Sequence, residues 1–189
     1  LADLGFFECQ TAAAHCVHVS SNDIKILRKH KVNVLNNPTS NFKLGNGFAP
    51  ICELLDIGVN VALGTDGPAS NNNVNLFEEM HLASIVNKAI NEDAESIPAN
   101  TVLQMATING AKALGLENEI GSIEVGKRAD LVFLDVQKPQ YFPRYNPISS
   151  LIYSAQAADV KSVLVNGRIL MEDYEVKTID FEETIQNSE

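Results

Sequence analysis

The sequence predicts an α/β protein in which parallel strands alternate with helices and a small β-rich unit follows. Two observations lead to this prediction. Before Gly115, three apolar runs that end in turn residues alternate with segments of helical periodicity, which is the pattern of parallel βαβ units. After Gly115, apolar runs flank the dipeptide Asn166-Gly167, a strong signal for an antiparallel hairpin.

The elements of the first part can be placed in order along the chain. Strands are predicted at residues 11–19, 31–35 and 59–63. Helices are predicted at residues 23–27, 50–56, 74–90 and 101–114, the last one stopped by Gly115. A complete (β/α)₈ barrel needs about 250 residues, so the count of strands leaves two possibilities open, a small open sheet or the second half of a barrel.

The second part is predicted to be an antiparallel β unit. Apolar runs at residues 129–134 and 160–170 indicate its strands, and a helix is expected near residues 147–158. The change of pattern predicts a boundary within residues 116–121, which divides the chain into residues 1–118 and residues 119–189.

Composition excludes several classes of function. The net charge of −10 disfavours nucleic acid and anionic membranes as partners, because both attract basic surfaces. We expect no membrane span, since no apolar run reaches about 18 residues, and no signal peptide, since the first residues lack a basic region. Three cysteines, an odd number without the spacing of a disulfide or zinc framework, favour a cytoplasmic protein with reduced thiols.

Two histidines lie near the end of the first apolar run, in the segment Ala14-His15-Cys16-Val17-His18. Side chains alternate along a strand, so His15 and His18 are not expected to face the same side. His18 is nearer the predicted carboxyl end, where the active sites of parallel sheets lie, and neutral histidine is a common ligand of divalent metals. The alternative is a hydrogen-bonded histidine of the core.

Asp66 follows the third apolar run, in the segment Leu63-Gly64-Thr65-Asp66-Gly67. A carboxylate at the carboxyl end of a strand can bind a metal and accept a proton from an attacking water. The alternative is a turn-forming aspartate that accepts hydrogen bonds from nearby backbone amides.

Three longer segments give these residues a context. The runs AHCVH at residues 14–18, NPTSNFKLGNGFAP at residues 37–50 and GVNVALGTDGPASNNN at residues 58–73 resemble the metal-dependent amidohydrolases, and GSIEVGKRADLV at residues 121–132 fits the same pattern. The similarity is greatest to the branch of 5-methylthioadenosine/S-adenosylhomocysteine deaminases and related chlorohydrolases, and it extends over essentially the whole chain.

The resemblance implies a fold, a cofactor and a reaction. The fold would be the C-terminal half of a TIM-type barrel, beginning near the fifth strand, followed by a small β-rich sandwich unit. The cofactor would be one divalent ion, zinc or iron, bound by His18 and Asp66, with Asp66 also taking the proton of the attacking water. The reaction would be hydrolysis of a non-peptide C–N bond, the deamination of an adenosine-type nucleoside.

The sequence also departs from the family pattern. It contains no His-x-His pair, which supplies two metal ligands in the family. The resemblance places Ser21 where the family has a proton-shuttling glutamate and Asn36 where it has a histidine that contacts substrate, so both become candidate substrate-binding residues. These departures leave two hypotheses open: a deaminase of which this chain is a part, or a non-catalytic binding or assembly protein. Under either hypothesis a half-barrel would expose the edges of its sheet and an apolar face. We therefore expect a homo-oligomer, or a pairing with a missing N-terminal half, that covers them.

Overall fold

A computed structural model describes residues 1–188. Three short strands, β1 (Ala12–Ala14), β2 (Asn33–Asn36) and β3 (Val61–Leu63), form a parallel sheet in the order β1-β2-β3. Six helices belong to this part of the chain: α1 (Ser21–Lys29), α2 (Pro38–Lys43), α3 (Ile51–Asp56), α4 (Leu76–Asn91), α5 (Ala99–Ala106) and α6 (Ile108–Leu114). None of the helices formed by residues 1–188 has the length and apolar character that a membrane crossing needs.

Local sequence explains where two of these helices begin. At the start of α1, the Ser20 hydroxyl accepts the N–H of Asp23, and the Asp23 carboxylate accepts the N–H of Ser20 at 2.9 Å, a reciprocal cap. At the start of α4, the Asn75 side chain accepts the N–H of Phe77. Both caps fix the helix ends that follow β1 and β3.

The apolar core lies between one face of the parallel sheet and the helices. Val34 and Val61, which are aligned in neighbouring strands, are fully buried there. They belong to one cluster with buried side chains of α1, α3, α4 and α5, among them Ile24, Leu27, Ile51, Leu54, Met80, Val102 and Met105. Burial of apolar surface is the main source of stability in such a core.

The second sheet is antiparallel and consists of β4 (Leu131–Leu134), β5 (Val160–Val165), β6 (Arg168–Glu172) and β7 (Glu175–Val176) in that order. The predicted hairpin between β5 and β6 is present. Asn166 and Gly167 both have positive φ, 50° and 76°, as the favoured two-residue hairpin turn requires. A last helix, α8 (Phe181–Gln186), follows the sheet.

Helix α7 (Pro147–Tyr153) connects the two parts of the molecule. Although its residues fall in the predicted range 119–189, it packs against α4 and α5. Ile152 joins the core of the first part, and the Tyr153 hydroxyl lies 2.8 Å from the Ser84 Oγ of α4. The division into residues 1–118 and 119–189 therefore stays a prediction, and the two ranges share a packed interface.

Several predicted elements differ from the structure. Strand β1 ends at Ala14 rather than at residue 19, because the next two residues, His15 and Cys16, have positive φ and leave the strand. The helix predicted at residues 101–114 is two helices, with a break at Thr107, whose ψ of −96° is not helical. Helix α2 was not predicted at all. The parallel sheet of the described residues has three strands, whereas a start near the fifth strand of a barrel would give four.

Candidate active site

Asp66 lies just beyond the carboxyl end of β3, in a left-handed conformation with φ of 62°. Its Oδ2 accepts hydrogen bonds from two hydroxyls, the Oγ of Ser70 at 2.6 Å and the Oγ of Ser40 at 2.7 Å. These hydrogen bonds from Ser70 and Ser40, with one from the backbone of Gly67, lower the pKa of Asp66 to about 2. Asp66 is therefore a stable carboxylate at neutral pH.

His15 faces this carboxylate from the end of β1. Its Nε2 lies 3.8 Å from Asp66 Oδ2, and both side chains are about one-third exposed, 36% and 33%. Its Nδ1 lies 2.8 Å from Asn41 Oδ1. With that oxygen as the acceptor, the proton of a neutral ring is on Nδ1, and Nε2 presents a lone pair toward the space beside Asp66.

Three strand ends build this site. β1 is followed by His15, β2 is followed by α2 with Ser40 and Asn41, and β3 is followed by the loop that carries Asp66 and Ser70. The carboxyl ends of parallel strands lie at one edge of a sheet, so these connections meet there. The two charged or chargeable residues, His15 and Asp66, both have positive φ, a conformation that non-glycine residues adopt at a cost and that is often found at functional sites.

Of the four residues predicted to form a site, the structure brings only Asp66 into this group. His18 lies in the turn beyond β1 and is exposed, because the strand ends five residues earlier than predicted. Ser21 is the exposed first residue of α1. Asn36 is buried in β2, where it lines a small, mainly apolar cavity with residues of α2 and α4, including Phe42. The roles of these three residues stay predictions from the resemblance.

Sequence reasoning did not select His15, Ser40, Asn41 or Ser70. The choice of His18 over His15 assumed a strand that continues to residue 19, and no periodicity reveals the left-handed turn at His15 and Cys16. Neither His15 nor His18 lies in β1, which ends at Ala14, so the alternation of side chains along a strand does not apply to them. The sequence offers one signal that could have marked Ser40 and Ser70 as site residues: each follows a turn that ends an apolar run.

The side chains of this site supply part of what a divalent ion needs. An imidazole nitrogen and a carboxylate oxygen are suitable ligands for zinc, and His15 Nε2 and Asp66 supply one of each. A zinc site uses four ligands, however, and residues 1–188 contain no group of three or more His, Cys, Asp or Glu side chains placed to hold a metal. A complete site would therefore need ligands from outside these residues.

A second cavity, larger than the one beside Asn36, lies away from this group. It has a volume of about 330 Å³ and is lined by residues at the amino ends of β2 and β3, among them Lys31, Asn33, Gly58 and Asn60. Active sites of parallel α/β sheets lie at the carboxyl ends of the strands, so position favours the His15–Asp66 group as the reaction centre.

Fold and site together define a class of protein. Short parallel strands covered by helices, with an ionised aspartate and an imidazole at their carboxyl edge, define an α/β protein with its candidate site where the active sites of this fold class lie. Comparison with known proteins then gives the family. Residues 1–170 match the amidohydrolase family, and the chain belongs to that family.

Individual relatives agree with this assignment. The chain is 58% identical to a 5-methylthioadenosine/S-adenosylhomocysteine deaminase of Thermoanaerobacter pseudethanolicus over 189 residues, all of this chain and 44% of that protein. It is 48% identical to a 5'-deoxyadenosine deaminase of Methanosarcina acetivorans, of which it covers 43%. The chain thus spans less than half the length of these curated relatives.

Solved structures show the same similarity. A zinc-bound adenosine deaminase from Xanthomonas campestris superposes with a TM-score of 0.91 and 39% identity, over 94% of this chain and 40% of that one. A zinc complex of atrazine chlorohydrolase from Arthrobacter aurescens gives a TM-score of 0.87 at 28% identity, with coverage of 94% and 39%. The expected family resemblance is confirmed.

Proposed function

We propose that the protein containing this chain is a metal-dependent deaminase that acts on adenosine-type nucleosides altered at the 5' carbon. The observation that carries the proposal is the pair of an ionised Asp66 and the imidazole of His15, whose Nε2 lies 3.8 Å from Asp66 Oδ2, at the carboxyl edge of the parallel sheet. The relatives named above as deaminases of 5-methylthioadenosine, S-adenosylhomocysteine and 5'-deoxyadenosine support the substrate class, since the three compounds share adenine and ribose.

The reaction replaces an amino group with an oxygen. Water forms a bond to the ring carbon that carries the amino group, the C–N bond breaks, one proton of the water leaves with ammonia and the other remains on the ring. Asp66 is placed to accept the first proton, and Ser40 and Ser70 hold its Oδ2. His15 Nε2, held by the contact of its Nδ1 with Asn41, is placed to accept a hydrogen bond from the same water.

A divalent ion would supply the remaining chemistry by lowering the pKa of the water it coordinates and by polarising the ring. The zinc in the two solved relatives supports zinc, with iron as the other candidate. Among the residues of this chain, we propose Asp66 as a ligand, and the geometry favours His15 over His18 as the imidazole that faces it. Ser21 and Asn36 are retained as proposed substrate contacts only on the basis of the resemblance.

We further propose that the three parallel strands are the last three of an eight-stranded barrel. The similarity of 94% of this chain to about 40% of two amidohydrolases supports it. If β1 is then the sixth strand rather than the fifth, Ser21 does not correspond to the family glutamate and no longer favours a non-catalytic protein. The remaining strands of the barrel would pair with the outer edges of both β1 and β3. They would be supplied by the rest of the protein, or a second copy would cover these edges.

The experiment is an assay of ammonia release. The protein that contains this chain, purified without chelator, is supplied with 5-methylthioadenosine, S-adenosylhomocysteine or 5'-deoxyadenosine, and its metal content is measured in parallel. We expect about one zinc or iron per active site and turnover of at least one of these nucleosides. Full metal content without release of ammonia from any of them would refute the proposed substrate class, and a protein that binds no metal would refute the proposed mechanism.

A further inference from the structure

Glu79 is a buried carboxylate that the proposed mechanism does not use. It lies in the first turn of α4 and is 1% exposed. No cation neutralises it within residues 1–188, and burial raises its pKa. An unpaired buried carboxylate costs stability compared with an apolar residue of similar size, so its presence calls for an explanation outside the packing of the core.

The hydrogen bonds of Glu79 point to that explanation. Its Oε2 accepts the backbone N–H of Thr39 at 3.0 Å, and its Oε1 accepts the side-chain N–H of Asn71 at 2.6 Å. Thr39 lies in α2, after β2, and Asn71 lies in the loop after β3. One carboxylate therefore ties together the connections that follow two neighbouring strands.

Each of these two anchor points is one residue away from a hydroxyl that donates to Asp66. Thr39 precedes Ser40, and Asn71 follows Ser70. The two serine hydroxyls reach the same atom, Asp66 Oδ2, at 2.7 and 2.6 Å. A shift of either connection would therefore move one donor away from Asp66.

Asn71 makes the second anchor rigid. It is fully buried, and its side-chain amide nitrogen donates to Glu79. Its Oδ1 accepts the backbone N–H of Val74 at 3.1 Å, and its backbone N–H donates to the carbonyl of Gly67. The loop from Gly67 to Val74 is thus closed on itself and attached to α4 through Glu79. The other anchor point, Thr39, lies in α2, and this helix also carries Asn41, whose Oδ1 lies 2.8 Å from His15 Nδ1.

We propose that Glu79 is a positioning residue, whose carboxylate holds α2 and the β3–α4 loop at the separation that brings Ser40 and Ser70 together on Asp66. The proposal deepens the function proposed above and rests on it for its kinetic consequences. Glu79 itself does not touch the reacting atoms. It acts through the two serines, which makes the proposal testable by a mutant cycle.

The first test compares Glu79→Gln with Glu78→Gln. Glutamine can accept one of the two hydrogen bonds but presents an N–H to the other donor, so one anchor is lost. We expect kcat to fall about 10- to 100-fold with KM changed less than about threefold, as is typical when the residues that orient a site are altered. Glu78→Gln, the same change at the neighbouring position, contacts Asn73 rather than either anchor and should keep kcat within about twofold.

The second test asks whether Glu79 acts through the serines. In a Ser40→Ala/Ser70→Ala background, Glu79→Gln should lower kcat less than about twofold further, because the hydroxyls that it positions are gone. An equal loss in both backgrounds would overturn the proposal and leave Glu79 with a general role in folding. If Glu79→Gln does not fold, Asn71→Ala replaces it, because this variant also removes the hydrogen bond between Asn71 and Glu79. Its effect on kcat is then compared in the parent protein and in the Ser40→Ala/Ser70→Ala background.

A third measurement does not depend on activity. Hydrogen exchange at the amides of residues 39–41 and 67–74 should be faster in Glu79→Gln than in the parent protein, while the amides of β2 and β3 keep their protection. This result together with an inactive parent protein would contradict the proposed deaminase but support the positioning role. Unchanged exchange in both segments would overturn the positioning role whatever the activity.

Discussion

The two parts of the molecule each contain an aspartate whose pKa is lowered to about 2, but the two carboxylates differ in every other respect. Asp66, beside the parallel sheet, is one-third exposed, has a strained backbone and faces an imidazole. Asp159, before β5 of the antiparallel sheet, is 2% exposed. Burial opposes ionisation of Asp159, yet hydrogen bonds from Lys138 and Tyr141 outweigh it and lower its pKa.

The difference shows that a lowered pKa does not identify an active site. Asp159 accepts hydrogen bonds from Lys138 Nζ at 2.7 Å, the Tyr141 hydroxyl at 2.7 Å, the N–H of Gln156 at 3.0 Å and Gln140 Nε2 at 3.4 Å. These donors bind both oxygens and cover the group. Asp66 is held on one oxygen by neutral hydroxyls and remains open to solvent, which leaves it able to meet a substrate.

The largest effect is expected from Asp66→Asn. The amide cannot accept a proton from water, so kcat should fall by about 10²- to 10⁴-fold, the usual contribution of a general base. The melting temperature should change little, because the side chain is partly exposed and is not part of the core. The check is the ammonia assay together with a thermal scan. Asp159→Asn is the matched control, and if it lowered kcat as strongly as Asp66→Asn, the distinction between the two aspartates would be wrong.

An effect of intermediate size is expected for stability in Asp159→Asn. Asparagine keeps one acceptor oxygen but presents an NH₂ group in place of the other, so Lys138 loses its charged partner and one of the donors loses its acceptor. The free energy of unfolding should therefore fall by about 3 kcal/mol at pH 7. Urea denaturation measures the loss. The ammonia assay on the same variant should give the parent kcat/KM, since the network is remote from Asp66.

The loss should depend on pH in a defined direction. The pKa of Asp159 in the folded protein, about 2, lies below its ordinary value of 3.8, so its stabilising effect is present above pH 4 and disappears as the pH falls from about 4 toward 2. The parent protein and Asp159→Asn should therefore converge in stability over that range. A difference that stayed constant from pH 6 to pH 3 would contradict an ionised Asp159 as its cause.

The same comparison shows what sequence could and could not predict. The alternation of parallel strands with helices and the hairpin at Asn166-Gly167 were predictable, because they follow from apolar periodicity and from turn residues. The role of Asp66 was inferred from its position after an apolar run and stays a prediction. Neither Asp159 nor Glu79 was singled out. Their roles depend on partners 18 to 40 residues away, Tyr141 and Thr39, and such contacts leave no periodic pattern.

The choice between His15 and His18 shows why the site was predicted only in part. Both histidines lie in one apolar segment, and the correct edge of the sheet is set by a change in backbone conformation at His15 and Cys16 rather than by composition. Left-handed φ is rare for such residues, so no sequence rule predicts it there. Tertiary contacts hold it, among them the contact of His15 with Asn41 from α2.

The smallest effect is expected from Tyr141→Phe. This change removes one neutral donor to Asp159 and leaves the Lys138 ion pair and the packing of the ring in place, so the free energy of unfolding should fall by about 1 kcal/mol. Tyr145→Phe, at an 89% exposed ring, is the control and should show no change by urea denaturation. A Tyr141→Phe loss as large as that of Asp159→Asn would mean that the hydroxyl, and not the lysine, dominates the network. The contrast with Asp66, which only neutral donors hold, would then have to be drawn from exposure alone.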